Sequence, residues 1–215
     1  MTMERAEAST LLAEEDIARA AIYDLLAALL HRPPDAAALA RIATLEPGEG
    51  EIGRAVKSLA GMARVMDPES IEREHTALFI GIGRGELVPY ASYYRTGFLN
   101  EKPLADLRAD MARLSITRAP EVMEPEDGIA SLCEMMAGLI LGRFGEPASL
   151  AVQNEFFRAH IAPWARHFFS DLEKASSAAF YAPVGALGRA MMDVEEEMFR
   201  MVGEGEAIGP VAGSA

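Results

Sequence analysis

A single cysteine, Cys133, excludes an intramolecular disulfide and any cysteine-rich zinc or iron–sulfur site. It falls inside an apolar helical pattern, so it reads as a small buried hydrophobe and not as a nucleophile. Basic residues are also scarce. Lys and Arg number 20 against 33 Asp and Glu, a net charge of −13, which excludes a general nucleic-acid surface because phosphate contacts need clustered cations. The same acidity suits a basic partner segment. Long apolar runs are missing: the longest, Met135 to Leu141, falls far short of the ~20 residues a membrane span requires. The first residues, Met1-Thr2-Met3-Glu4-Arg5-Ala6-Glu7, are acidic and have no apolar h-region, which predicts no secretory signal. The expected location is the cytoplasm, without membrane insertion. Val and Ile never alternate over a useful length, so no strand is expected, and no internal repeat is found.

What remains is a helical vocabulary. Only 7% of residues are aromatic while Ala, Leu, Met, Glu and Arg supply the bulk, and 215 residues suffice to bury a core. Residues 1–13 read as a flexible leader. A broad stripe through Ile17, Ala21, Leu25 and Leu29 predicts a helix from Glu14 to Leu30, stopped by Pro33-Pro34. Asp35 can cap a helix over Ala36 to Leu45, and another follows from Ile52 to Val65. Asp67 and Pro68 are the cap and first residue of the next, with Ile71, His75, Leu78 and Phe79 on one face and Gly81 as its stop.

Gly81, Gly83 and Gly85 stand at every second position, so neither regular structure continues and a mobile link over about 81–88 is expected. Pro89-Tyr90-Ala91-Ser92-Tyr93-Tyr94 closes it, placing amphipathic rings at a helix end. Beyond it, helices are predicted from Glu101 to Leu114, from Pro125 through Phe144, and from Pro147 onward with a kink at Pro163. A last helix after Pro183 carries the stripe Leu187, Met191, Val194 and Met198, and the Gly- and Ala-rich stretch 203–215 reads as a disordered tail. The fold class is all-α: one helical bundle domain, 14–202, of about eight to nine helices, with the glycine hinge between N- and C-terminal groups.

Complete catalytic constellations are absent from the sequence. Glu72-x-x-His75 has the spacing that aims a carboxylate and an imidazole inward in di-iron bundles, but the second such motif is missing. A metal-dependent helical oxidoreductase using Glu72 and His75 is therefore the alternative reading. No Gly-x-Ser-x-Gly elbow occurs, and Gly81-Ile82-Gly83-Arg84-Gly85 lacks the Gly-Lys-Ser/Thr ending of a phosphate loop. A flexible, apolar, carboxylate-flanked cleft points to a binding module, with no enzyme activity, no metal and no cofactor expected.

Five strings in order resemble one family, the TorD/DmsD/NarJ-type chaperones that mature molybdenum redox enzymes. They are Tyr23 and Leu25-Leu26 followed by Pro33-Pro34; Glu74-His75-Thr76-Ala77-Leu78-Phe79-Ile80-Gly81; Pro89-Tyr90-Ala91-Ser92-Tyr93-Tyr94; Glu124-Pro125-Glu126-Asp127; and Phe156-Phe157-Arg158-Ala159-His160-Ile161-Ala162-Pro163-Trp164, later joined by Phe180-Tyr181. One departure is Gly128, where the family usually has histidine. The resemblance implies an all-α chaperone whose partners are an apo-molybdoenzyme catalytic subunit and its twin-arginine signal peptide. It implies that Leu78, Phe79, Pro89 and Tyr90 meet the apolar segment. Glu124, Glu126 and Asp127 would meet the guanidinium groups, with Glu74, His75 and Tyr93 alongside. A glycine hinge is compatible with a monomer or a domain-swapped homodimer.

Overall fold

A computed structural model describes residues 12–118 and 124–207, with side chains to residue 201. Its ten α-helices are α1 (Glu14–His31), α2 (Ala36–Ile42), α3 (Gly50–Val65), α4 (Pro68–His75), α5 (Ala91–Thr96), α6 (Lys102–Arg113), α7 (Ile129–Leu141), α8 (Leu150–Phe156), α9 (Ala165–Lys174) and α10 (Tyr181–Ala207). Among the described residues there is no strand, only an isolated antiparallel bridge between Tyr90 and Gly128. The all-α reading holds.

Helix α7 is the spine. Ile129, Ala130, Leu132, Cys133, Met136, Ala137, Leu139 and Ile140 are all buried, so almost every face of it is core, and α1 packs along it. Cys133 is buried with its thiol pushed up by burial, the inert state expected of a packed side chain. On the other side α10 packs against α9 and α3. The α9 contact is close because Gly185 and Gly188 leave room for it. A Cβ at Gly185 would stand 2.4 Å from the Glu173 backbone nitrogen, and one at Gly188 would stand 2.2 Å from the Phe169 ring.

Two of the anticipated caps are present: the Asp35 carboxylate accepts from the Ala38 N–H at 2.7 Å, and Asp67 from Ser70 at 2.8 Å. Several boundaries differ from expectation. Helix α2 ends at Ile42, short of Leu45. Helix α7 starts at Ile129 rather than Pro125 and ends at Leu141, where Gly142 turns left-handed. Helix α8 starts at Leu150, capped by Ser149, rather than at Pro147. The kink expected at Pro163 is a full break, preceded by a π turn over Phe157–Ile161 that closes with the Ala162 N–H on the Phe157 carbonyl. The short α5 has no counterpart in the sequence reading. Helix α10 runs to Ala207, through the first residues of the tail expected from Gly203; 208–215 and most of the leader, 1–11, lie outside the described residues.

A buried polar network joins the two ends of the chain. The Arg19 guanidinium of α1 donates to both Glu195 oxygens of α10, at 2.6 and 3.0 Å, and the Tyr23 hydroxyl donates to the same carboxylate at 3.1 Å. Burial alone would lower the Arg19 guanidinium, but Glu195 outweighs it and holds it above its ordinary value.

Candidate functional site

The Ile71–Ser92 stretch folds in four steps, each with a local cause. Helix α4 buries Ile71, Glu74 and His75 and then widens into a π turn over Thr76–Ile80, which buries Leu78. That turn closes with the Gly81 N–H on the Thr76 carbonyl at 2.7 Å, and Gly81 leaves the helix with φ +60°, a conformation that favours glycine. The chain then doubles back: the Glu86 and Leu87 N–H groups donate to the carbonyls of Ala77 and Leu78 at 3.1 and 2.8 Å. Glu86 also reaches across to accept from Ser176 and Ser177, bonds led by the Ser177 side chain that draw its carboxyl down to about 2. The far end of the 81–88 link is thus tied at several points, while Ile82 stands fully in solvent.

Residues 124–129 then meet the end of the link. The Ile129 N–H donates to the Pro89 carbonyl and the Ala91 N–H to the Asp127 carbonyl, both at 2.9 Å. Asp127 was expected in the first turn of its own helix. It precedes α7 instead, and its Oδ2 accepts from the Ser92 N–H at 2.7 Å, capping α5 from 35 residues away. It is almost fully buried. Glu126 is engaged as well, receiving Arg108 at 2.8 Å and Arg118 at 3.3 Å. Glu124, the third carboxylate of the group, is exposed and has no side-chain partner among the described residues.

Glu74 serves the fold. Its carboxylate accepts from the Ala179, Phe180 and Tyr181 N–H groups at 2.8, 3.0 and 2.7 Å, closing the start of α10. His75 beside it lies in a ring cluster, 5.0 Å from Phe79 and 5.7 Å from Tyr181 between centroids. Burial lowers its pKa, an effect opposed by a hydrogen bond to the Leu30 carbonyl and by the Glu124 charge, and its buried Nε2 has no partner among the described residues. Tyr90 is half-buried, and burial, with Glu124 and Asp127 nearby, pushes its hydroxyl up to about 12. Its ring lies over Gly128, where a Cβ would stand 3.3 Å from a ring carbon. Tyr93 carries the Arg84 guanidinium over its ring at 4.9 Å and hydrogen-bonds it.

The ten residues singled out from sequence are in different states. Leu78 is core, Glu74 and Asp127 hold helix ends, Glu126 is paired, and Tyr93 is covered by Arg84. His75, Phe79, Pro89, Tyr90 and Glu124 remain as a corner with an exposed carboxylate, a half-buried phenol and apolar surface, backed by an imidazole whose Nε2 is itself buried. Such a set can hold a donor-rich cation attached to an apolar segment.

The family model described as "Nitrate reductase delta subunit" matches residues 47–170. The chain belongs to the TorD/NarJ family. Among TorD/NarJ relatives it is 30% identical over 155 residues to the chaperone protein TorD of Vibrio atlanticus, covering 65% of this chain and 72% of that one. To TorD of Aliivibrio salmonicida it is 31% identical, covering 49% and 53%, and to one from Vibrio cholerae it is 26% identical, covering 69% and 73%. A crystal structure from Archaeoglobus fulgidus, described as a candidate redox enzyme maturation protein, shares the fold of this chain. Its TM-score is 0.54 at 19% identity, over 81% of this chain and 93% of that one.

Nothing in the corner supports the metal reading. Glu72 is exposed, His75 faces Leu30 and two rings, and no three His, Cys, Asp or Glu residues gather as ligands among the described residues. His160, the other well-buried histidine, pairs with Asp110 at 2.8 Å. What sequence reasoning missed, the Asp127 cap and the Glu74 staple, spans 35 and over 100 residues, and no local pattern announces either.

Proposed function

We propose that this protein is a cytoplasmic chaperone dedicated to a molybdenum-cofactor oxidoreductase. It binds the enzyme's twin-arginine signal peptide while the catalytic subunit is still without cofactor and holds it until insertion is complete. The chain itself does no chemistry. The observation that carries the reading is that the family match, residues 47–170, contains the whole corner of His75, Phe79, Pro89, Tyr90 and Glu124. In this reading Glu124 takes an arginine of the signal peptide, because its carboxylate is exposed and has no partner among the described residues. The half-buried Tyr90 phenol adds a second polar group, and Phe79 and Pro89 receive the apolar residues that follow. Asp127 acts indirectly, by fixing the start of α5 and with it Tyr90. Gly128, where the resembled family usually has histidine, leaves room for the Tyr90 ring, and in this reading the phenol takes that place toward the client.

Titration calorimetry with a synthetic twin-arginine peptide that includes its apolar segment tests this. Glu124→Gln should weaken binding about tenfold, the worth of one charge-assisted hydrogen bond at a partly solvated position. Glu126→Gln should change affinity little, because Arg108 and Arg118 already occupy that carboxylate. Replacing both peptide arginines by lysine should also weaken it, since lysine cannot bridge acceptors in a fixed fork. Equal affinity of Glu124→Gln and wild type would overturn the assignment.

A further inference from the structure

Arg84 is an exposed arginine that meets a ring where others meet carboxylates. Arg113, Arg166 and Arg200 are exposed too, and each pairs with Asp or Glu, at 3.0, 2.5 and 2.6 Å. The Arg84 guanidinium instead lies 4.9 Å from the Tyr93 ring centroid and donates to the Tyr93 hydroxyl, with no carboxylate in reach among the described residues. Tyr93 is half-buried on α5, one turn on from Tyr90, so the covered phenol adjoins the phenol of the corner.

The link is built to place that side chain and to let it go. Gly81 accommodates the Arg84 carbonyl so closely that a Cβ there would stand 2.0 Å from it, which seats the Arg84 backbone. Glu86 is tied to Ala77 and to Ser176 and Ser177 on the far side. Between them, residues 82–85 make no backbone hydrogen bond among the described residues, and Ile82 is fully in solvent. Releasing the guanidinium therefore breaks its two contacts with Tyr93 and leaves both anchors in place.

We propose that Arg84 is a built-in stand-in for an arginine of the client, covering Tyr93 in the empty protein and displaced from it when the peptide binds. The inference rests on the reading of the preceding section and adds a second subsite to it: one peptide arginine goes to Glu124, the other to the Tyr93 ring that Arg84 vacates. The same group is exchanged on the same ring, so the exchange is close to balanced. A tethered competitor of this kind, an exposed cation–π pair with one hydrogen bond to a neutral hydroxyl, lowers the apparent affinity for the client about fivefold. That keeps the hold reversible, as release of a finished enzyme requires.

Titration calorimetry on the full chain, with the synthetic twin-arginine peptide already described, reads the device as a double-mutant cycle. Arg84→Gln should tighten binding about fivefold. Tyr93→Leu should change affinity little in the wild-type chain, where one arginine replaces another on the ring, and should weaken it about fivefold in Arg84→Gln, where the ring is free. Arg95→Gln removes the same charge from the other end of α5, where Arg95 donates to the Ala159 carbonyl, and should leave affinity unchanged. The Arg84 Nε resonance, assigned by its loss in Arg84→Gln, should move to the value of a free arginine as peptide saturates the wild-type chain. Wild-type affinity for Arg84→Gln, equal tightening with and without Tyr93, or an Arg84 resonance unmoved at saturation would each overturn the stand-in while the client reading stands. Failure of the wild-type chain and every variant to bind the peptide would overturn both.

Discussion

Glu195→Ala should destabilise the protein by about 3–5 kcal/mol, because it leaves the Arg19 guanidinium buried without its counter-charge. Glu195 is fully buried and Arg19 nearly so, and the carboxylate takes two guanidinium N–H groups and the Tyr23 hydroxyl together. Asp16 keeps one contact to Arg19 at 2.7 Å, but it is partly solvated and cannot reach the groups Glu195 served. Urea denaturation followed by circular dichroism reads the loss as a lower midpoint at unchanged slope. The triple variant Arg19→Met/Tyr23→Phe/Glu195→Leu removes every polar member at similar volume and should recover most of the stability. If the single variant costs under about 1 kcal/mol, on the order of an exposed ion pair, the network is not closed to water as described.

Glu74→Ala should cost a similar amount, about 3–5 kcal/mol, through a different route. Three backbone N–H groups at the start of α10 lose their only described acceptor at once, and two of those contacts are buried. A melting temperature about 10 °C lower is the expected reading for a chain of this size. Glu74→Gln keeps the shape and one carbonyl acceptor, so it should fall between wild type and Ala. The effect extends to the candidate site, since Tyr181 is the first residue of α10 and its ring packs against those of both His75 and Phe79. Amide exchange at Ala179, Phe180 and Tyr181 should quicken in both variants, and no change there would contradict the staple.

Helices were legible wherever their causes are local. Asp35 and Asp67 sit next to the N–H groups they cap, and the 3.6-residue spacing of α1, α4 and α7 is written in consecutive residues. The family likeness was legible for a related reason: its motifs are short strings. What could not be read is whatever is held from a distance. Helix α5 is six residues long with no cap of its own, and the carboxylate that starts it belongs to Asp127. Glu126 looked free beside Glu124, yet its arginines come from α6 and from residue 118. Glu74 looked like a binding residue because it opens one of the strings that carry the resemblance, while its oxygens are given to the start of α10. On α10 itself, spacing alone predicted that Val194 and Met198 are core, and no pattern in one helix reveals where its partners stop.

These assignments leave a division of labour within a single helical domain. Glu74 and Asp127 fix helix starts, and the two ends of the chain are held by Arg19 and Glu195. Glu124, Tyr90, His75, Phe79 and Pro89 are then presented from segments whose backbones are bonded to one another, so the client proposed above would meet a preorganised corner.

The measurement that bears most directly on this account is capture of the client in its native host. Cells expressing the tagged chain are grown without molybdate, so that the cofactor is not made, and the bound protein is identified by mass spectrometry. The account predicts a molybdoenzyme catalytic subunit carrying its uncleaved twin-arginine peptide and lacking cofactor, lost when Glu124→Gln replaces the wild-type chain and released when molybdate is restored. Capture of no molybdoenzyme, or equal capture of the cofactor-loaded form, would contradict it.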